Sequence, residues 1–232
     1  AGQDGWLFLR VRVHPPVPPR ARTIHLMGLA GAALQRRLAR MGSKLIIVPV
    51  PRKAVACADK LPADLDPDAD FDAAIAEAMR SRGVSVLDVN RAWEGVASED
   101  RYLRLDSHWA VVGERAIARL IAETYPELVT HEIKLWMEEI PARAPAQLLE
   151  FAAIDREHPA AAWVNNDISP RQILRPPAAG KRIRKQRTDV DVAVVGSSFT
   201  RDFSFCEIVA ETLGRIVYSG GMAGTPFAGS LA

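Results

Sequence analysis

The sequence of 232 residues is poor in cysteine, and this argues against both a disulfide-stabilised scaffold and a cysteine-ligated metal site. Cys57 and Cys206 are its only cysteines, too few for a disulfide scaffold, and neither has a histidine or second cysteine nearby at metal-ligand spacing. Two interpretations are open. We favour two unpaired, buried thiols that act as small apolar residues, and the alternative is one bridge in an oxidising compartment.

An excess of charge of one sign is also absent. Thirty Lys and Arg stand against 28 Asp and Glu, so the formal net charge is only +2. So small a net charge produces no strong electrostatic field around the protein, so we expect neither a nucleic acid nor a membrane surface as a partner. No apolar run approaches the roughly 20 residues that cross a bilayer, so we expect no membrane span in this segment.

The 48% of hydrophobic residues are enough for one substantial domain, which we expect to cover residues 1–232. Helical periodicity alternates along the chain with short apolar, β-branched runs. This alternation predicts an α/β fold with a mostly parallel sheet covered by helices. The predicted helices are 24–41, 71–80, 111–124 and 207–213, and the predicted strands are 44–50, 84–89, 191–195 and 215–218.

The middle third of the chain is less regular. Residues 131–155 are helical in composition but are interrupted by Pro141 and Pro145. Residues 165–187 are rich in proline and predict a long loop. Within that loop, the basic run 181–187 either holds an anionic polymer or is a solvated surface, and we favour the second interpretation.

The turn that follows the predicted strand 191–195 is a candidate site for a catalytic serine. The apolar run 191–195 leads into Gly196, Ser197 and Ser198, and a short helix can start there. In parallel α/β sheets, ligands bind at the carboxyl ends of the strands, next to the free N–H groups of the following helix. A serine at this position is therefore either a nucleophile or simply a helix cap.

A second motif places an acid beside a base. Asp106 precedes His108 by two residues, close enough for the carboxylate to orient the imidazole and stabilise its cation. The pair suits a general base, although Asp106 as a helix cap with a structural His108 is the alternative. The other histidines lack such a companion, so a metal site is poorly supported.

Four short segments follow one another along the chain: Gly2–Phe8, Pro49–Lys53, Asp106–Trp109 with Gly113, and Val195–Phe199. Their order resembles that in the SGNH-hydrolase-like acetyltransferases of exopolysaccharide export, of which the periplasmic alginate O-acetyltransferases are the best known. In that family the Asp-x-His-Trp motif precedes the serine motif, and this chain has the same order.

The resemblance implies a three-layer, flavodoxin-like SGNH fold and a triad of Ser198 as nucleophile, His108 as base and Asp106 as the orienting acid. It implies transfer of an acetyl group from a donor to hydroxyls of an exported polysaccharide such as alginate, in the periplasm and without a metal or organic cofactor. Other exopolysaccharide export proteins are further expected partners. The family's domain continues beyond the position of Ala232, and an export signal or anchor is expected upstream of the Gly2–Phe8 segment, so we expect the chain to be incomplete at both ends.

Three more residues are candidates for substrate binding. Lys53 follows a strand end and is suited to an anionic substrate, unless it is an ordinary surface lysine. Trp109 either lines a sugar cleft or packs in the core. Ser197 either contacts the substrate or orients the turn.

Two other functions remain open. An acetyl esterase would use the same triad with water as the acceptor. A polysaccharide-binding assembly protein would be non-catalytic and would not use the triad.

Overall fold

The computed structural model describes residues 2–9, 20–65, 67, 69–130, 136–140, 148, 171–175, 190–201 and 204–220. The helices are α1 (Arg20–Arg40), α2 (Lys53–Ala56), α3 (Ala69–Arg80), α4 (Val89–Ala92), α5 (Ser98–Arg101), α6 (Val111–Thr124), α7 (Ser198–Arg201) and α8 (Phe205–Leu213). The strands are β1 (Ile46–Ile47), β2 (Ser85–Val86), β3 (Trp136–Ile140), β4 (Arg171–Arg175), β5 (Val192–Val194) and β6 (Val217–Ser219). Short 3₁₀ turns cover Gln3–Gly5, Ala58–Lys60 and Pro126–Leu128.

The first two helix–strand units form as predicted. Gly42 and Gly83 follow α1 and α3 with φ angles of 74° and 78°, a conformation that glycine adopts without a steric penalty. The two helices pack on each other, and a Cβ atom at Gly28 would lie 2.8 Å from the carbonyl oxygen of Ala78. Glycine at this position therefore allows the helices to approach closely.

Among the described residues, two separate two-stranded sheets, one near each end of the chain, are parallel, as an α/β fold requires. β1 pairs in parallel with β2 through Ile46 with Ser85, and β5 pairs in parallel with β6 through Val192 with Val217. Each strand is shorter than the apolar run that predicted it. The prediction of parallel, helix-covered strands is confirmed.

The middle of the chain differs from the prediction. β3 lies within the segment expected to be helical, and β4 lies within the segment expected to be a long loop. They pair antiparallel, with Trp136 opposite Arg175 and Ile140 opposite Arg171. Strand formation there depends on pairing between segments that are distant in the chain, and local composition does not reveal such pairing. The basic run 181–187 lies outside the described residues.

The main core lies between α6, α8 and the loops that carry the sequence motifs. Ile117 of α6 and Ile208 and Leu213 of α8 are fully buried, together with the aromatic side chains of Trp93 and Tyr102. Burying one such side chain contributes about 1.5–3 kcal/mol. The motif loops are thus packed against the main core of the domain.

Both cysteines are free and buried, as the favoured interpretation expects. Each helix among the described residues is too short or too polar to cross a bilayer.

Candidate active site

The Asp-x-His-Trp motif lies in a loop between α5 and α6. Tyr102 and Trp109 form an antiparallel bridge at the base of this loop, and the N–H of Leu103 donates to the carbonyl oxygen of His108 at 3.1 Å. These bonds fold the intervening residues into a tight turn. Asp106 and His108 are therefore presented from a backbone with little freedom.

Asp106 contacts His108 twice through one carboxylate oxygen. Oδ1 of Asp106 lies 2.6 Å from Nδ1 of His108 and accepts the backbone N–H of His108 at 3.1 Å. Because a carboxylate oxygen can only accept, a proton on Nδ1 satisfies this contact, and Nε2 of the neutral ring is then an acceptor. Both side chains are buried, so water competes little for these bonds.

Ser198 completes the arrangement from the other end of the chain. It is the first residue of α7 and follows the carboxyl end of β5 by four residues. Its Oγ lies 2.7 Å from Nε2 of His108, which is hydrogen-bonding distance. The structure thus brings Ser198, His108 and Asp106 into one hydrogen-bonded series, an arrangement able to activate a serine hydroxyl.

The turn that carries Ser198 is tight. The N–H and Oγ–H of Thr200 both donate to the carbonyl oxygen of Ser197, at 3.0 and 2.8 Å. A Cβ atom at Gly196 would lie 3.0 Å from Cγ2 of Thr200. Glycine is therefore the residue that fits here without displacing Thr200. Ser197 orients this turn through its carbonyl group, and a contact with substrate stays a prediction.

Phe199 belongs to the site, and sequence reasoning assigned it no role. Its ring centroid lies 4.6 Å from that of His108 and 5.3 Å from that of Trp109. The ring therefore packs against the imidazole beside the serine that it follows. The sequence signal was its place in the segment Val195–Phe199, next to Ser198, which does not indicate the direction of the ring.

Trp109 is a core residue, and the expectation that it lines a sugar cleft is wrong. Only 1% of its surface is exposed, and its ring lies against Phe205 at 4.8 Å as well as against Phe199. No face of the indole is available to a sugar. Trp109 instead packs in the core against Phe199, whose ring contacts His108. Core packing was the other interpretation of the sequence.

Lys53 is also placed differently from the expectation of a substrate contact. Its side chain is buried, and its ammonium donates to the carbonyl oxygens of Leu7, Arg104 and Asp106 at 2.7, 2.7 and 3.0 Å. The sequence suggested either a surface lysine or a substrate ligand, and neither description fits a cation enclosed by backbone carbonyl groups.

Glu114 is a second buried ionisable residue close to the motif loop. It lies on α6 with none of its surface exposed, and this burial raises its pKa well above the ordinary value. The charge of Glu207 raises the pKa further, whereas the charge of Arg115 lowers it by less. The carboxyl group is therefore neutral over a wider pH range than an exposed glutamate.

The described residues contain no group of three or more His, Cys, Asp or Glu side chains arranged to hold a metal ion.

Comparison with known proteins assigns the chain to a family. Residues 1–232 match the family model described as "SGNH hydrolase-like domain, acetyltransferase AlgX". None of the curated proteins compared with the chain matches it.

Two solved structures have a similar fold. The O-acetyltransferase domain of Pseudomonas putida AlgJ superposes with a TM-score of 0.77 and 21% identity, over 99% of this chain and 81% of that one. Pseudomonas aeruginosa AlgX gives a TM-score of 0.68 and 19% identity, over 96% of this chain and 54% of that one. This chain thus spans about half the length of AlgX. By its fold and by the family model, the chain belongs to the SGNH hydrolase-like acetyltransferase domains of the AlgX family.

Proposed function

We propose that the chain is an O-acetyltransferase that carries the acetyl group on Ser198 and passes it to a hydroxyl group of an exported polysaccharide such as alginate. One observation supports the proposal above all others. Oγ of Ser198, Nε2 of His108, Nδ1 of His108 and Oδ1 of Asp106 form a continuous series with gaps of 2.7 and 2.6 Å. Membership of an acetyltransferase family supports acetyl as the transferred group.

In the first half-reaction, Oγ of Ser198 attacks the carbonyl carbon of the acetyl donor while Nε2 of His108 takes the hydroxyl proton. The tetrahedral intermediate collapses as the donor oxygen leaves with that proton. Backbone N–H groups at Ser198 or its neighbours would stabilise the oxyanion. The product is an acetyl ester on Ser198.

In the second half-reaction, Nε2 of His108 takes the proton of the acceptor hydroxyl as its oxygen attacks the acetyl carbonyl. Oγ of Ser198 then leaves and recovers the proton from the imidazolium. Asp106 accepts from Nδ1–H throughout and stabilises the imidazolium in both half-reactions. The protein returns to its starting state with no net loss of protons.

We further propose that residues 1–232 act as one catalytic domain in the periplasm, with the acetyl donor, the polysaccharide and other export proteins as partners. The family and its exported polysaccharide substrates support this location.

Incubation with an acetyl-ester reporter, with and without oligosaccharides of alginate, tests the function. We expect reporter release from the parent and an acetylated sugar product that depends on the oligosaccharide. Release with no sugar product at any oligosaccharide concentration would instead indicate an esterase. A protein that binds the oligosaccharide and never releases the reporter would be a binding module, and the proposal would be wrong.

A further inference from the structure

The ammonium group of Lys53 has a backbone acceptor for each of its three N–H donors. The carbonyl oxygens of Leu7, Arg104 and Asp106 lie 2.7, 2.7 and 3.0 Å from Nζ. Only 7% of the surface of Lys53 is exposed. A charged group this deeply buried is costly unless it is fully hydrogen-bonded, so the three carbonyl groups and the ammonium hold one another in place.

Two aromatic rings cover the same ammonium. Nζ of Lys53 lies 4.8 Å from the ring centroid of Trp6 and 5.1 Å from that of Phe8, within the range of cation–π attraction. Trp6 is itself part of the main core. The N-terminal segment, Trp6 to Phe8, therefore contributes one carbonyl group and two aromatic rings to the surroundings of Lys53.

Three successive carbonyl groups of the turn, those of Arg104, Leu105 and Asp106, accept hydrogen bonds. The oxygen of Arg104 accepts the N–H of Leu7 at 3.2 Å as well as the ammonium. The oxygen of Leu105 accepts the N–H of Leu148 at 3.1 Å, and the oxygen of Asp106 accepts from Lys53. Of the donors named here, only the ammonium of Lys53 bonds to two carbonyl groups of the turn, those of Arg104 and Asp106.

We infer that Lys53 is a positioning residue that fixes Asp106 for its contact with His108. The inference rests on the proposed function. The ammonium connects the N-terminal segment to the backbone of Asp106, and the side chain of Asp106 then meets Nδ1 of His108 at 2.6 Å. A misplacement of about 1 Å in such an arrangement costs about 100-fold in rate. Loss of the ammonium would remove one hydrogen bond from each of the three carbonyl groups and so permit that misplacement.

A double-mutant cycle with Lys53→Met and Asp106→Asn tests this inference. The rate of Ser198 acylation is measured by the burst of 4-nitrophenol from 4-nitrophenyl acetate. We expect Lys53→Met to lower the rate about 100-fold in the parent and to have no further effect in the Asp106→Asn background. A residue that only stabilised the fold would lower the rate by the same factor in both backgrounds.

A matched control and a second variant complete the test. Lys60→Met removes a lysine that pairs at the surface with Asp59 and Glu99, and it should leave the rate unchanged. Lys53→Gln keeps two N–H donors and should fall between the parent and Lys53→Met. In the parent and in Lys60→Met, proton NMR should show a strongly downfield Nδ1–H resonance of His108, and this signal should shift or broaden in Lys53→Met.

Several results would overturn the inference. They are a folded Lys53 variant with the parental acylation rate, equal effects in the two backgrounds, or the failure of both Lys53 variants to fold. A parent that is never acylated on Ser198 would instead refute the proposed function, so the two failures are distinguishable.

Discussion

Nε2 of His108 lies 2.7 Å from Oγ of Ser198, although the two residues are 90 positions apart in the chain. The contact joins a loop at the start of α6 to the turn after β5. Since Nδ1 of the same ring faces Asp106, the imidazole has one neighbour that accepts a hydrogen bond from it and one, Ser198, that can give it a proton. This polarity is the basis of the first two predictions.

Ser198→Ala should abolish acetylation of the protein, whereas Ser197→Ala should retain it. Only Ser198 has its hydroxyl at His108, while Ser197 serves the turn through its backbone carbonyl, which the substitution keeps. Mass spectrometry of peptides after exposure to an activated acetyl ester locates the adduct. The nucleophile would be misassigned by one residue if Ser198→Ala stayed labelled while Ser197→Ala did not.

Asp106→Asn should preserve the fold but lower turnover by about 10⁴-fold, because an amide favours the wrong imidazole tautomer. The amide NH₂ donates toward Nδ1, so Nε2 becomes the protonated nitrogen and can no longer take the serine proton. Turnover of the acetyl-ester reporter measures the loss, and circular dichroism checks the fold. Asp100→Asn, at an exposed position on α5, is the matched control. Full turnover in a folded Asp106→Asn protein would mean that Asp106 is not part of the machinery.

The sequence predicted those parts of the molecule whose signals are local. The helix over 111–124 has its predicted bounds, since apolar periodicity and a nearby motif both mark it. The motif resemblance predicted that Asp106, His108 and Ser198 belong together. The pairing of β3 with β4 left no local signal, because each strand depends on a partner more than 30 residues away.

The surroundings of Lys53 were equally hidden from sequence reasoning. Its three acceptors are backbone carbonyl oxygens, which every residue type provides, so no side-chain pattern marks them. The burial of Trp109 was one of two interpretations because an indole suits both a core and a sugar cleft. Only the packing of Phe199 and Phe205 around the ring distinguishes them.

Both thiols should resist alkylation in the native protein. Burial raises the pKa of Cys57 to about 12 and that of Cys206 to about 11. Since the thiolate is the reactive form, only about one thiol in a thousand or fewer is reactive at pH 8. We expect no iodoacetamide adduct on the folded protein and two adducts in denaturant without a reductant. Rapid labelling of the folded protein would contradict this, and a denatured protein that gained no adducts would contain a disulfide.

Glu114→Gln should remove the loss of stability that ionisation of Glu114 causes as pH rises. Burial raises the pKa of Glu114 in the folded state above the unfolded value of 4.5, so between these two values the native state binds more protons than the unfolded state. The contribution of Glu114 to the free energy of unfolding therefore falls as pH rises above about 4.5, by up to about 1.4 kcal/mol per pH unit. Glutamine has nearly the same shape as the neutral acid and does not titrate, so it lacks this slope.

Urea unfolding of the parent and of Glu114→Gln at a series of pH values from 4 to 8 measures the effect. The difference in the free energy of unfolding, variant minus parent, should grow in favour of the variant as pH rises and should level off only when Glu114 ionises in the folded parent. Glu123→Gln, on the exposed side of the same helix, provides the matched control and should give a curve parallel to that of the parent. If Glu114→Gln also gave a curve parallel to that of the parent, the prediction would be wrong. The carboxyl group of Glu114 would then reach solvent, and the packing around Trp109 would be less closed than its burial indicates.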